Sequence, residues 1–131
     1  MNTERSGPAC GMAEAAGGRG RPTRRTLDEL ATDHLRWAAA TFDAVDRRPV
    51  AERIRSGLRH AAKELAEIAA DPQDAVEFVD VIGLMVTTAR LAGHSLDDLA
   101  AAWERKLEEL PSRRWARGAD GTIEHVRTGA A

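Results

Sequence analysis

The stretch from Asp74 to Ala92, DAVEFVDVIGLMVTTARLA, restricts this chain more than any other. At 100° per residue, Val76, Val79, Ile82 and Val86 form one stripe of a helix, while Phe78, Val81, Leu84 and Met85 cover its other sides. A helix that is apolar nearly all round belongs in the middle of a bundle. Yet Glu77 and Asp80 leave it in almost the direction of Val81 and Leu84, so two like charges one turn apart aim at a packed region. Burying each costs several kcal/mol unless a cation or a proton intervenes.

The remaining bounds are narrow. With 131 residues, 43% hydrophobic and 31% charged, the chain suits one soluble domain with a real core. Its formal charge of -2 argues against a nucleic-acid polymer as partner. The lone Cys10 makes no internal disulfide, and no apolar run is long enough for a membrane, so a cytoplasmic location is expected. Residues 1–25, rich in Gly, Ala and Arg, read as a disordered tail without chemistry, which leaves 26–131 as the folded domain.

The pattern before and after the central helix predicts an all-α fold, an antiparallel bundle of about four helices with a short irregular C-terminal segment. Thr26 and Glu29 form the capping box of a first helix, which carries Leu27, Leu30, Ala31, Ala38, Phe42 and Val45 at helical spacing and ends near Asp46. His34 lies in its stripe and Trp37 at the edge, where core packing is the ordinary role for both. A second helix runs from about Val50 to Ala70 on a seam of Ile54, Leu58, Ala61, Leu65 and Ile68, with His60, Glu64 and Glu67 on one flank. Asp71 and Pro72 close it and open the third helix, with Pro72 suited to its first position.

So short a connection makes the two helices antiparallel. Glu64 and Glu67 occupy the last turns before it, Glu77 and Asp80 the first turns after it. An E-x-x-E pair alone is usually a solvated face. Two such pairs at one end of a bundle form an oxygen-only cluster, which suits hard divalent cations, Mg²⁺ above all, and a polyphosphate beside them.

Gly93 ends the third helix, and Ser95 with Asp98 caps a fourth whose stripe holds Leu96, Leu99, Trp103 and Leu110. Lys106 falls inside that stripe, either snorkelling to solvent or serving as a cation for phosphates. Pro111 stops this helix, and the remainder, with Arg113, Arg114, Trp115 and Arg117, is short and basic.

E-x-x-E followed by E-x-x-D on two antiparallel helices resembles the metal signature of the all-α nucleoside triphosphate pyrophosphohydrolases, the MazG-like superfamily. Within it the similarity is greatest to the phage and prophage dATP/dGTP diphosphohydrolase domain. The resembling stretches are WAAATF, LRHAAKELAEIAADPQD, EFVD, RLAGHSLDDL and IEHVR, which together span nearly all of the chain after the tail. The resemblance implies a Mg²⁺-dependent hydrolase, with Mn²⁺ as possible substitute, that cleaves a nucleoside triphosphate to monophosphate and pyrophosphate. Glu64, Glu67, Glu77 and Asp80 would be its metal ligands, and Glu64 or Glu67 would also orient or deprotonate the attacking water. Lys106 and Arg113 would meet the triphosphate. Read from the residues themselves, Trp37 and Phe42 are candidates for an apolar slot for a purine on a helix bordering the site, and His60 is a further candidate substrate contact. Members of this superfamily are dimers or tetramers.

Three positions depart from the pattern: Leu110 stands where asparagine is common, Asp43 where glycine is usual, and Phe78 where tryptophan is common. Leucine cannot hydrogen-bond a sugar or phosphate. The alternative to the enzyme is therefore a non-catalytic helical oligomeric module that binds metal or nucleotide.

Overall fold

The computed structural model describes residues 24–127; the expected tail, Cys10 included, lies outside them apart from Arg24 and Arg25. The described residues form four helices, α1 (Leu27–Phe42), α2 (Val50–Ala70), α3 (Ala75–Leu91) and α4 (Leu96–Glu109). A single 3₁₀ turn (Leu110–Ser112) follows, where Pro111 removes a donor and stops α4. The all-α reading holds. The chain divides into two compact units, one through Ala92 and one from Gly93 on.

Each helix begins where its side chains satisfy free backbone donors. Thr26 Oγ1 accepts from the Glu29 N–H at 3.2 Å, and Asp74 Oδ1 from the Val76 N–H at 2.9 Å. Ser95 and Asp98 complete a reciprocal capping box at α4. Two boundaries differ from expectation. α1 ends at Phe42 rather than near Asp46; in the turn beyond it the Val45 and Asp46 N–H groups both bond the Phe42 carbonyl, and Arg48 holds the Asp46 carboxylate. Pro72 lies in the connecting turn, not in the first turn of α3, since Asp71 closes α2 and Asp74 is the residue that caps α3.

In the first unit α3 packs against α2 and α1. The core is thin: Ala38 of α1, Ala61 of α2, and Gly83 and Thr88 of α3 are its buried residues. Close approach depends on the absence of side chains. A Cβ on Gly57 would stand 2.5 Å from Thr88 Oγ1, and one on Gly83 would stand 2.8 Å from His34 Cε1.

The expectation that α3 is covered on nearly every face is not met within the chain. Val76, Val79 and Ile82 remain 60%, 58% and 52% exposed, whereas Gly83 and Thr88 are buried and Val81, Leu84, Val86 and Thr87 half-buried. In the second unit Trp103 of α4 is 69% exposed.

The segment expected to be irregular forms a hairpin, β1 (Trp115–Arg117) with β2 (Ile123–His125), in antiparallel register with Trp115 opposite His125 and Arg117 opposite Ile123. Gly121, at φ 87, supplies the left-handed turn residue, and Asp120 Oδ1 accepts from the Thr122 N–H at 3.0 Å to fix the turn. Among the described residues no helix is long and apolar enough to cross a membrane.

Candidate active site

The four-residue link between α2 and α3 sets the last turns of one helix beside the first turns of the other. One carboxylate oxygen from each of Glu64, Glu67 and Glu77 comes within 4.8 Å of the others. The Glu64 side chain is only 13% exposed; Glu77 is half-buried and Glu67 open to solvent. Burial first, and then contact with the Glu67 carboxylate, push Glu64 above the ordinary glutamate range, with the Asp80 charge adding and the His60 hydrogen bond opposing. Burial and the charge of Glu67 likewise raise Glu77, with Asp74 and Glu64 contributing.

This cluster repels itself. Glu64 Oε1 meets His60 Nε2 at 3.0 Å, whereas Glu64 Oε2 is buried with no hydrogen-bond partner. Mutual repulsion together with an orphaned buried oxygen is what an oxygen-liganded divalent cation would relieve, and the donor set fits a hard cation such as Mg²⁺ or Mn²⁺. Asp80, the fourth acid expected here, stands outside the tight trio and is exposed. Its charge still reaches Glu64, and it lines the adjoining cleft.

That cleft, about 360 Å³, lies among α1, α2, α3 and the α1–α2 connection, within the size range of small-molecule sites. His34, Trp37, Phe42 and Leu84 give it apolar walls, and His60 and Asp80 border it on the acidic side. The rings form a short series, His34 to Trp37 at 5.6 Å and Trp37 to Phe42 edge-on at 5.5 Å.

Sequence reasoning missed the ionic network beside this cleft. Asp43 Oδ1 accepts from Arg90 Nη2 at 2.8 Å and from Arg53 Nη2 at 3.0 Å. Asp46 accepts from Arg48 Nε and Nη2 at 2.9 and 2.8 Å and stands 3.5 Å from Arg53 Nε. The Arg90 hydrogen bonds lower the Asp43 carboxyl below its usual range, and those of Arg48 bring Asp46 down to about 2. Five alternating charges thus tie the α1–α2 connection to α2 and α3. No periodicity marks a pair 47 residues apart such as Asp43 and Arg90.

The other two expected site residues belong to the second unit. Lys106 is exposed on α4, and Arg113 donates to Glu109 Oε2 at 2.7 Å.

Carboxylates converging from two adjoining helices, beside a cleft with aromatic walls, suit a helical hydrolase of the metal-assisted kind. The sequence profile of the dATP/dGTP pyrophosphohydrolase family matches residues 30–130, and the chain belongs to that family; it is a nucleotide pyrophosphohydrolase. Among solved structures it is similar to the cyanophage S-2L MazG-like pyrophosphohydrolase, bound to dGDP and three catalytic Mn²⁺ ions per active site. The two are 27% identical, the match covers 79% of this chain and 99% of that one, and the TM-score is 0.60. Among curated proteins none matches.

Proposed function

We propose that this chain cleaves purine deoxynucleoside triphosphates, dATP and dGTP, to the monophosphate and pyrophosphate with Mg²⁺ as its metal and Mn²⁺ as a working substitute. The observation that carries the reading is the convergence of Glu64, Glu67 and Glu77 with an unpartnered buried Glu64 oxygen. Glu64, Glu67, Glu77 and Asp80 would hold the cations, and divalent ions bound there would acidify an attacking water and screen the charge on the phosphoryl oxygens.

The protein's own groups do the positioning. Trp37 and Phe42 offer an apolar wall to the base in the cleft that His60 and Asp80 also line, and the phosphates extend past Asp80 toward the Glu64, Glu67 and Glu77 carboxylates. Glu64 or Glu67 accepts the proton of the attacking water. A new bond forms between that oxygen and the α-phosphorus, the bond from the α-phosphorus to the bridging oxygen breaks, and pyrophosphate leaves. The resemblance gives Lys106 and Arg113 of the second unit a role toward the phosphates, as cations that would offset their charge.

The working unit is a homo-oligomer, a dimer or tetramer. The exposed stripe of Val76, Val79 and Ile82 on α3, which also carries Glu77, is the surface a second copy would cover. Incubating the purified protein with each ordinary dNTP and NTP, with Mg²⁺ or with EDTA, and separating the products by ion exchange tests the proposal. Metal-dependent monophosphate and pyrophosphate, fastest from dATP and dGTP, are expected. A folded oligomer that turns over no nucleotide would leave the non-catalytic module, for which Leu110 in place of asparagine is the specific observation.

A further inference from the structure

Resting on the metal-binding reading above, we infer that His60 is a positioning residue: its imidazole anchors Glu64 so that the glutamate keeps its second oxygen turned to the metal cluster. His60 and Glu64 are four residues apart on α2, and Nε2 stands 3.0 Å from Oε1. An ionised carboxylate only accepts, so the imidazole nitrogen is the donor in this contact. The anchor holds against a real force. Glu64 sits among the Glu67 and Glu77 carboxylates, and their repulsion drives its head group outward toward solvent.

The division of labour between the two oxygens supports the role. Oε1 takes the imidazole N–H. Oε2 stays buried and unpartnered. Without the imidazole Oε1 loses this hydrogen bond, and the carboxylate can rotate about its last torsion or swing away from its neighbours. Supporting hydrogen bonds of this sort set the orientation and basicity of metal ligands. His60 is itself 58% exposed and borders the cleft, so its substitution removes little packing. The same location makes direct contact with substrate the rival role for this histidine, and the two roles differ in what they do to metal binding without nucleotide.

The test titrates Mn²⁺ alone into the full chain, reading free ion by electron paramagnetic resonance, for wild type, His60→Ala and His60→Gln, with far-UV circular dichroism as the check on folding. Glutamine keeps an N–H donor at the same helical spacing, so it preserves the anchor; alanine does not. His60→Ala is expected to weaken Mn²⁺ binding about 10- to 100-fold and His60→Gln by no more than roughly threefold. At saturating Mn²⁺, His60→Ala should regain kcat at an unchanged KM for dGTP. Wild-type Mn²⁺ affinity in His60→Ala with a raised KM would make His60 a substrate contact and overturn the positioning role. Equal weakening in both variants would overturn it too, because the hydrogen bond would then not be what matters. A wild-type protein that takes up no Mn²⁺ would instead bring down the metal reading itself, before any variant is compared.

Discussion

Gly83 is buried in α3 with the His34 imidazole lying against it, and replacing it by alanine tests how closely α1 and α3 approach. The new Cβ would stand 2.8 Å from His34 Cε1 and 2.9 Å from Nε2. Carbon atoms rest at about 3.5–4.0 Å, so the ring must retreat by roughly 0.7 Å or more. Overpacking of this sort costs about 1–3 kcal/mol, and exchanging a mid-helix glycine for alanine returns about 1 kcal/mol. The net is a destabilisation of about 0–2 kcal/mol, a fall of up to about 10 °C in Tm. The His34 ring also borders the cleft and touches Trp37, so KM for nucleotide should rise with it. Thermal melts of wild type, Gly83→Ala, His34→Ala and the double variant isolate the contact. In the His34→Ala background Gly83→Ala should become stabilising by about 1 kcal/mol, a coupling of about 1–3 kcal/mol between the two sites. If Gly83→Ala stabilises the otherwise unaltered protein by the full helical gain, the close approach argued here is wrong.

The acidic cluster and the ionic network give further expectations. Glu64→Gln or Asp80→Asn should lower turnover by more than about a hundredfold, beyond what supporting contacts are worth, with helicity by circular dichroism intact; in EDTA Glu64→Gln should melt higher than wild type, because one repelling charge is gone. Glu64 and Glu77 have carboxyls raised above the ordinary range, so the folded state binds protons more tightly than the unfolded one there. Their contribution is favourable below the unfolded value of about 4.5 and is lost as pH rises through the raised values. Melts in EDTA should therefore show Tm falling as pH rises from mildly acidic to neutral, and saturating Mg²⁺ should remove that slope. Asp46 behaves oppositely: its stabilisation is present above its usual 3.8 and is lost as pH falls toward about 2. An acid titration of Arg48→Gln, followed by circular dichroism, should show a shallower loss over that interval than wild type.

Much of this was legible in the chain because its signals are local. The span of α2 follows from its seam and its flanking Pro49 and Asp71, and the box at Ser95 and Asp98 is written in the sequence. The meeting of Glu64, Glu67 and Glu77 follows from two helices and a link too short to do anything but reverse direction. What periodicity cannot carry was lost. The pairing of Asp43 with Arg90 spans 47 residues, and only the folded chain reveals it. The stop at Phe42 depends on that same connection, which Arg48, Arg53 and Arg90 hold. The hairpin after α4 had a signal, Asp120-Gly121 between short alternating runs, but its basic composition read as a tail. The exposed faces of α3 are the instructive miss: hydrophobic patterning marks apolar surface without recording whether the rest of its own chain packs on it.

The reaction itself is tested most directly by the fate of water oxygen. Hydrolysis of dGTP by the full chain in ¹⁸O-enriched water with Mg²⁺, analysed by mass spectrometry of both products, should place one label in the deoxynucleoside monophosphate and none in pyrophosphate, with no reaction in EDTA. Label in pyrophosphate, or release of orthophosphate and a diphosphate, would contradict attack at the α-phosphorus beside Glu64, Glu67 and Glu77.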